Sequence, residues 1–362
     1  MNKRKKIGTV YMLLSFGAAL AFSVISAIAH SNVLFAEKIT LGIGYRARAA
    51  LSALSGIIPI SFAEIIIISS PALLVMIICI AARRTTASSR IRFLAMIMAT
   101  ASLFYPIYSL TLGIAYHRIP VADNMGLGEA DTDAFSLTTV YRELYGKCLE
   151  LSTSVEYSDS GSSVSGMSLV EISDSINAAY SALACEYPGL GIRCIDEAVK
   201  PVMLSSAMTP LGITGIYTFF TGEANVNTHL PDYCLPFTVA HEMAHREGIA
   251  REDEANFIAF LVCIRSDNIY VRYSGYMNMA EYVLSAIGRT DREALSAIYS
   301  EMDMRILGEM RAYSAFYKEH RIELLEKLSD FFNDTYLKAN GTEGTVSYSN
   351  VVKLTVRYYC GN

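Results

Sequence analysis

TVAHEMAHREGIAREDEANFIAF, residues 238–260, is the stretch whose reading decides the fold and the chemistry of this chain. Two histidines, five acidic residues and two arginines fall in a run that begins and ends apolar. In a chain that is 52% hydrophobic, such a density of charge marks either the solvated face of an ordinary helix or a metal site. His241 and His245 stand four residues apart, about 400° around an α-helix, so both imidazoles leave from one face. Their ring nitrogens can then share one Zn²⁺ at about 2.0–2.1 Å. Glu242, between them in an HExxH pattern, lies beside such an ion and is placed to act as general base toward a water.

A catalytic zinc needs a third protein ligand and an open position. The HExxHxxGxxH pattern would put that ligand at residue 251, which is Arg251 here, so a third histidine is missing. Glu252-Asp253-Glu254-Ala255-Asn256 fits instead the E-x-x-A-D/N order of a carboxylate from a following helix, with Gly248 turning the chain between the two. Glu252, Ala255, Asn256 and Ala259 share one helical face, and the alanines allow close approach to the histidines. Glu252 is therefore the expected third ligand and Glu254 the alternative. Asn256, one turn on, is expected to orient a ligand histidine through its second nitrogen.

Working outward, composition divides the chain. Residues 1–118 carry 12 Lys/Arg against two acids, Glu37 and Glu64; residues 119–362 carry 18 Lys/Arg against 33 Asp/Glu. Apolar runs at about residues 7–30, 57–82 and 93–116 are each long enough to cross about 30 Å of hydrocarbon as a helix. The first follows Lys3-Arg4-Lys5-Lys6 but is longer than a signal-peptide core, which predicts a retained anchor. Basic residues at the N-terminus, with Arg83, Arg84, Arg90 and Arg92, outweigh Lys38, Arg46, Arg48 and Arg118, which predicts a cytoplasmic N-terminus. Three spans then place residues 119–362 outside, as an extracytoplasmic domain of a multi-pass cell-membrane protein. Glu64 is read as reaching the interface at the end of span two. Six of the seven cysteines lie in the outer part and permit disulfides, Cys185–Cys194 among them.

The outer part reads as mainly helical, over 136–157, 169–186, from Pro236 through His245, and then over 252–265, 276–288, 291–299 and 302–332. A Ser/Gly loop covers 158–166, a strand 211–220, and a polar loop 221–233. No Gly-rich phosphate loop is present, and the acidic balance excludes nucleic acid as a partner. Glu223 and Asn225, with Asn227, precede the metal helix and are candidates to touch substrate. Arg272, Tyr273 and Tyr276, with Tyr348 behind them, are candidates to stabilise an oxyanion. His229 and His320 read as ordinary surface or core residues.

Residues 213–261, with TGIYTFFTGEANVN, LPFTVAHEMAHREGIAREDEANFIAFL and then RYSGY, resemble an uncharacterised bacterial family of membrane proteins, the DUF3810 group. LTLGIAYHRIP at the end of the third apolar run and YLKANGTEGTVSYSNVV near the C-terminus are similar to it as well, so the resemblance spans nearly the whole chain. It implies a zincin-like α+β domain behind a membrane α-helical part, and carries no substrate with it. HExxH followed by E-x-x-A-N is also similar to gluzincins, including membrane-bound heat-shock peptidases. The expectation is a membrane-anchored Zn²⁺ metallopeptidase acting on an envelope or membrane-proximal peptide or protein, with the lipid bilayer as its other partner. A zinc-binding sensor, or a peptide-binding scaffold without turnover, is the alternative. In zincins a strand beside the metal helix takes up extended substrate, and residues 212–219 are the candidate here.

Overall fold

The computed structural model describes residues 3–342, 344 and 350–361. Its chain is mostly helical and divides into two compact units. The first is the chain up to Arg118 together with Thr218–Glu223; the second is Ile119–Tyr217 with Ala224–Asn362.

The first unit contains α1 (Lys3–Ser31), α2 (Val33–Ile39), α3 (Tyr45–Gly56), α4 (Phe62–Ala82), α5 (Ala87–Ser102) and α6 (Phe104–Thr111). Three stretches are long and apolar enough to cross a membrane: Lys6–Ser31, Phe62–Ala82 and Ala87–Thr111. In α4 only Ala63 and Glu64 are buried, while most isoleucines and leucines from Ile65 to Ile80 stand exposed, a surface suited to hydrocarbon. The third stretch differs from expectation. It is broken at Leu103, because Pro106 has no N–H to return to Ser102. Its helix ends at Thr111 rather than near 116, and Gly113–His117 is a 3₁₀ turn.

Residues between the first two spans are not a loop either. They form α2, a π-helical turn at Thr40–Gly44, and α3. Arg48 there is completely buried and donates to the Thr40 carbonyl at 3.3 Å, so it is not one of the exposed loop charges. Arg118 closes the unit with a two-pronged ion pair to Glu37, at 2.8 and 3.0 Å. Glu64 is buried rather than reaching out, with its N–H bonded to the Ser61 hydroxyl that caps α4.

The second unit runs α7 (Val121–Asn124), α8 (Ala134–Ser152), β1 (Glu156–Tyr157), β2 (Ser163–Val164), α9 (Leu169–Glu186), β3 (Lys200–Pro201), α10 (Ser205–Met208), β4 (Gly215–Thr218), β5 (Glu223–Val226), α11 (Cys234–Glu247), α12 (Glu252–Cys263), α13 (Ile269–Thr290), α14 (Arg292–Glu301), α15 (Met304–His320), α16 (Glu323–Ala339) and α17 (Asn350–Cys360). The core lies where α9, α11, α13 and α17 surround α12, whose residues from Asp253 to Cys263 are all buried, with α8 packed on α13 and α17. Removing a core side chain such as Phe257 or Phe260 would cost about 3–5 kcal/mol. A capping box, Ser168 with Glu171, starts α9.

Two small sheets complete the unit: β1–β2, antiparallel, and β3-β5-β4, in which β3 runs parallel to β5 with Lys200 opposite Asn225. The strand expected over 211–220 is confined to β4, because Thr209–Leu211 forms a 3₁₀ turn closed by Gly212 at φ +69°. The polar segment expected as a loop holds β5, the central strand, whose four residues are all buried. The helix expected over 302–332 is two helices, separated at Arg321 and Ile322 without a glycine or proline. All seven cysteines are free, so Cys185 and Cys194 are not bridged.

Candidate metal centre

α11 brings His241, Glu242 and His245 together, and its end is what brings Glu252 back to them. Gly248 closes the helix at φ +94°, a left-handed conformation that costs a side-chain-bearing residue roughly 1–2 kcal/mol. Its N–H returns to the His245 carbonyl, and that of Ile249 to Ala244, both at 3.0 Å. α12 then opens on Glu252, whose carboxylate oxygens stand 3.3 Å from His241 Nε2 and 3.6 Å from His245 Nε2. The two Nε2 atoms are 3.1 Å apart. Four ligands at about 2.0–2.1 Å around a tetrahedral ion are roughly 3.3 Å from one another, so these three donors have the spacing of three such corners. Among the described residues they form the only cluster of three or more such side chains suited to a metal ion.

The protonation chemistry suits ligands. His245 is buried and donates from Nδ1 to the Ile249 carbonyl at 2.8 Å, which leaves Nε2 with its lone pair. Burial lowers its pKa to about 4, against the opposing pull of Glu252. Burial also acts to lower His241, but the hydrogen bond and charge of Glu252 outweigh it and leave that ring raised. Asn256 reaches the His241 side chain. His241 Nδ1 and Asn256 Nδ2 are both buried without a partner. Turning the carboxamide over would offer Oδ1 to the Nδ1–H.

Glu242 is 4% exposed, and its Oε2 is buried with no hydrogen-bond partner among the described residues. Burial raises its pKa to about 8, assisted by the Glu252 charge and opposed by His241 and the Tyr217 N–H. The helix beneath is held firmly. Tyr180 Oη donates to the Ala240 carbonyl at 2.6 Å. Glu247 accepts three backbone N–H groups, from Arg193, Cys194 and Ile195. That cradle secures Cys194 at φ +56°.

The other sequence candidates lie elsewhere. Glu254, the alternative ligand, accepts the Val121 N–H at 2.9 Å and so caps α7. Glu223 belongs to the first unit and accepts the N–H groups of Phe62 and Ala63 at 2.9 and 2.8 Å, capping α4. Asn225 donates from Nδ2 to the Ile216 carbonyl within the sheet, and Asn227 to Ile213. Arg272 donates to the Ser266 carbonyl, and Tyr273 is a buried link between Tyr157 and Glu309. Tyr276 packs edge-on against Phe260. Tyr348 falls outside the described residues. His229 bonds Thr209 and stacks near His320, away from the cluster.

Two features escaped the sequence. Burial holds the Tyr282 phenol well above its usual pKa, and the Glu252 charge is the next largest cause, so this tyrosine lies within electrostatic reach of the metal cluster. The signal was there in hairpin arithmetic. Gly275 meets Cys263 and Tyr276 meets Phe260, so the residues of α13 opposite Glu252 come about eight positions further on. The second feature is Gly215, whose backbone presses against Glu242.

With this geometry in hand, comparison with known proteins places the chain. A family model described as a protein of unknown function, DUF3810, matches residues 45–356, and the chain belongs to that family. No curated protein and no solved structure matches it.

Proposed function

We propose that this chain is a membrane-anchored, zinc-dependent peptidase of zincin-like arrangement, with its second unit extracytoplasmic and acting on peptide bonds of envelope or membrane-proximal proteins. The observation that carries the reading is the donor triangle of His241, His245 and Glu252 beside a buried glutamate with one unpartnered oxygen. A zinc ion held there supplies Lewis acidity, lowering the pKa of water toward about 7. His241 and His245 offer their Nε2 atoms, and Glu252 offers the third ligand and a charge that offsets the cation. Glu242 is the proton carrier: Oε2 takes a proton from the attacking water and returns it to the leaving amine. A carboxyl raised by burial is matched to that task near neutral pH, and a neighbouring dication would pull it back down.

A sensor or scaffold would have the same zinc ligands. It would have no use for Glu242, whose burial without a partner for Oε2 costs stability. The test uses full-length protein in nanodiscs. Wild type and Glu242→Gln should each hold one zinc, while Glu242→Gln loses at least about a hundredfold in hydrolysis of labelled casein. Equal hydrolysis by the two proteins, or none by zinc-loaded wild type on casein and on envelope extracts, refutes the peptidase reading.

A further inference from the structure

Sheet order β3-β5-β4 leaves β4 with one side unpaired by any strand. The Thr214 carbonyl accepts the Asn227 N–H at 2.9 Å and the Ile216 carbonyl accepts from the Asn225 side chain, so both face β5. With a strand's period of two, Gly215 and Tyr217 turn their main-chain groups to the other side. Glu242 is what they meet there. The Tyr217 N–H faces its carboxylate and acts to lower that carboxyl's pKa against the effect of burial. A Cβ at Gly215 would fall 2.5 Å from Glu242 Oε1, 2.7 Å from Cγ and 2.8 Å from Cδ, closer than real contacts allow. Gly215 is not in the left-handed region, so glycine is required here for space and not for conformation.

We propose that Gly215 and the Tyr217 N–H are positioning elements for Glu242: the glycine gives the carboxylate room at the strand edge, and the amide steadies it there beside the metal donors. The proposal rests on the peptidase reading for its consequence but not for its geometry. Two readouts on the full chain in nanodiscs separate the two. The first is residue-resolved amide hydrogen exchange of metal-free protein. Glu242→Ala should speed exchange at Tyr217 by about tenfold or more, with Thr214 and Ile216 unchanged. Wild-type protection at Tyr217 in that variant overturns the proposal, whatever the activity. The second is hydrolysis of labelled casein by zinc-loaded protein. Gly215→Ala should keep one zinc and its KM while kcat falls at least about tenfold. Tyr217→Pro, which removes the N–H where a sheet edge tolerates proline, should lose about tenfold more kcat than Tyr217→Ala, which keeps it. Wild-type kcat in zinc-loaded Gly215→Ala, or equal loss in the two Tyr217 variants, also overturns it. If wild type hydrolyses nothing, the peptidase reading fails and the exchange result alone decides the positioning claim.

Discussion

Glu252 and Glu254 are two residues apart, both acidic and both nearly buried, yet they should behave in opposite ways when neutralised. Glu252→Gln removes the anionic corner of the donor triangle, 3.3 and 3.6 Å from the imidazoles. Loss of an outer partner alone weakens zinc by roughly 10–100-fold, so loss of a ligand should cost at least about a hundredfold. By linkage, free zinc at about 1,000 times the wild-type Kd stabilises the wild type by about 4 kcal/mol, and a hundredfold weaker variant by about 1.4 kcal/mol. Glu254→Gln leaves the triangle intact but weakens a charge-assisted bond to the Val121 N–H, costing about 1.5–3 kcal/mol with or without metal. In a unit of this size, each kcal/mol moves Tm by about 2–4 °C. The assay is a competitive chelator titration of zinc on full-length protein, with thermal unfolding at zero and saturating metal. Glu252→Gln should lose most of the zinc-induced rise in Tm. Glu254→Gln should keep the rise and the Kd while both of its Tm values fall by several degrees. A wild-type Kd in Glu252→Gln, or loss of the rise in Glu254→Gln, would refute the ligand assignment.

Asn256→Ala should weaken zinc by about 10–100-fold without abolishing stoichiometric binding, measured by the same titration; an unchanged Kd removes its orienting role. Glu281, bonded to Tyr233 Oη at 2.8 Å, has its pKa raised to about 7 by burial, with the neighbouring Glu309 adding to it. A raised carboxyl stabilises the fold fully below the ordinary value of 4.5, and that contribution is lost as pH rises toward about 7. Glu281→Gln should therefore gain about 3 kcal/mol on the wild type between pH 4 and 8, and a difference independent of pH refutes the claim. Alkylation of denatured, unreduced protein should label all seven cysteines by intact mass; fewer adducts would reveal a disulfide.

What could be read from the sequence was what depends on short spacing. Histidines at i and i+4 share a helix face in any helical context, and Gly248 sits where the link from α11 to α12 needs a left-handed turn. Lengths of apolar run found three membrane-crossing candidates, but not where the third ends, because Leu112 leaves the helix within a run that stays apolar. β5 was hidden for a different reason. Glu223, Ala224 and Asn225 are poor strand formers, with only Val226 favouring one, and the segment is a strand because β3 and β4 flank it. Tertiary pairing also decided Tyr282 over Tyr276, since the register of α13 on α12 is set by small residues, with Gly275 seated on Cys263.

The density of charge in residues 238–260 makes physical sense once each group is followed to its partner. Buried charge is tolerated only where something meets it. Glu247 is met by three backbone N–H groups, Glu254 by the start of α7, and Arg246 by the Glu197 carbonyl. Those three are structural, and the same residues on an exposed helix would look identical in sequence. Glu252 is met by two imidazoles, a partnership that leaves a carboxylate and two ring nitrogens converging on one point. Glu242 has the Tyr217 amide beside it, and its Oε2 is buried with no partner among the described residues. A group in that condition is costly to the fold, and the fold adds a glycine at 215 to accommodate it. Asp253 Oδ1 is likewise buried without a hydrogen bond but lies 3.8 Å from the Arg251 guanidinium. An unpartnered carboxylate oxygen beside three converging donors is the physical argument for chemistry at Glu242 rather than for structure.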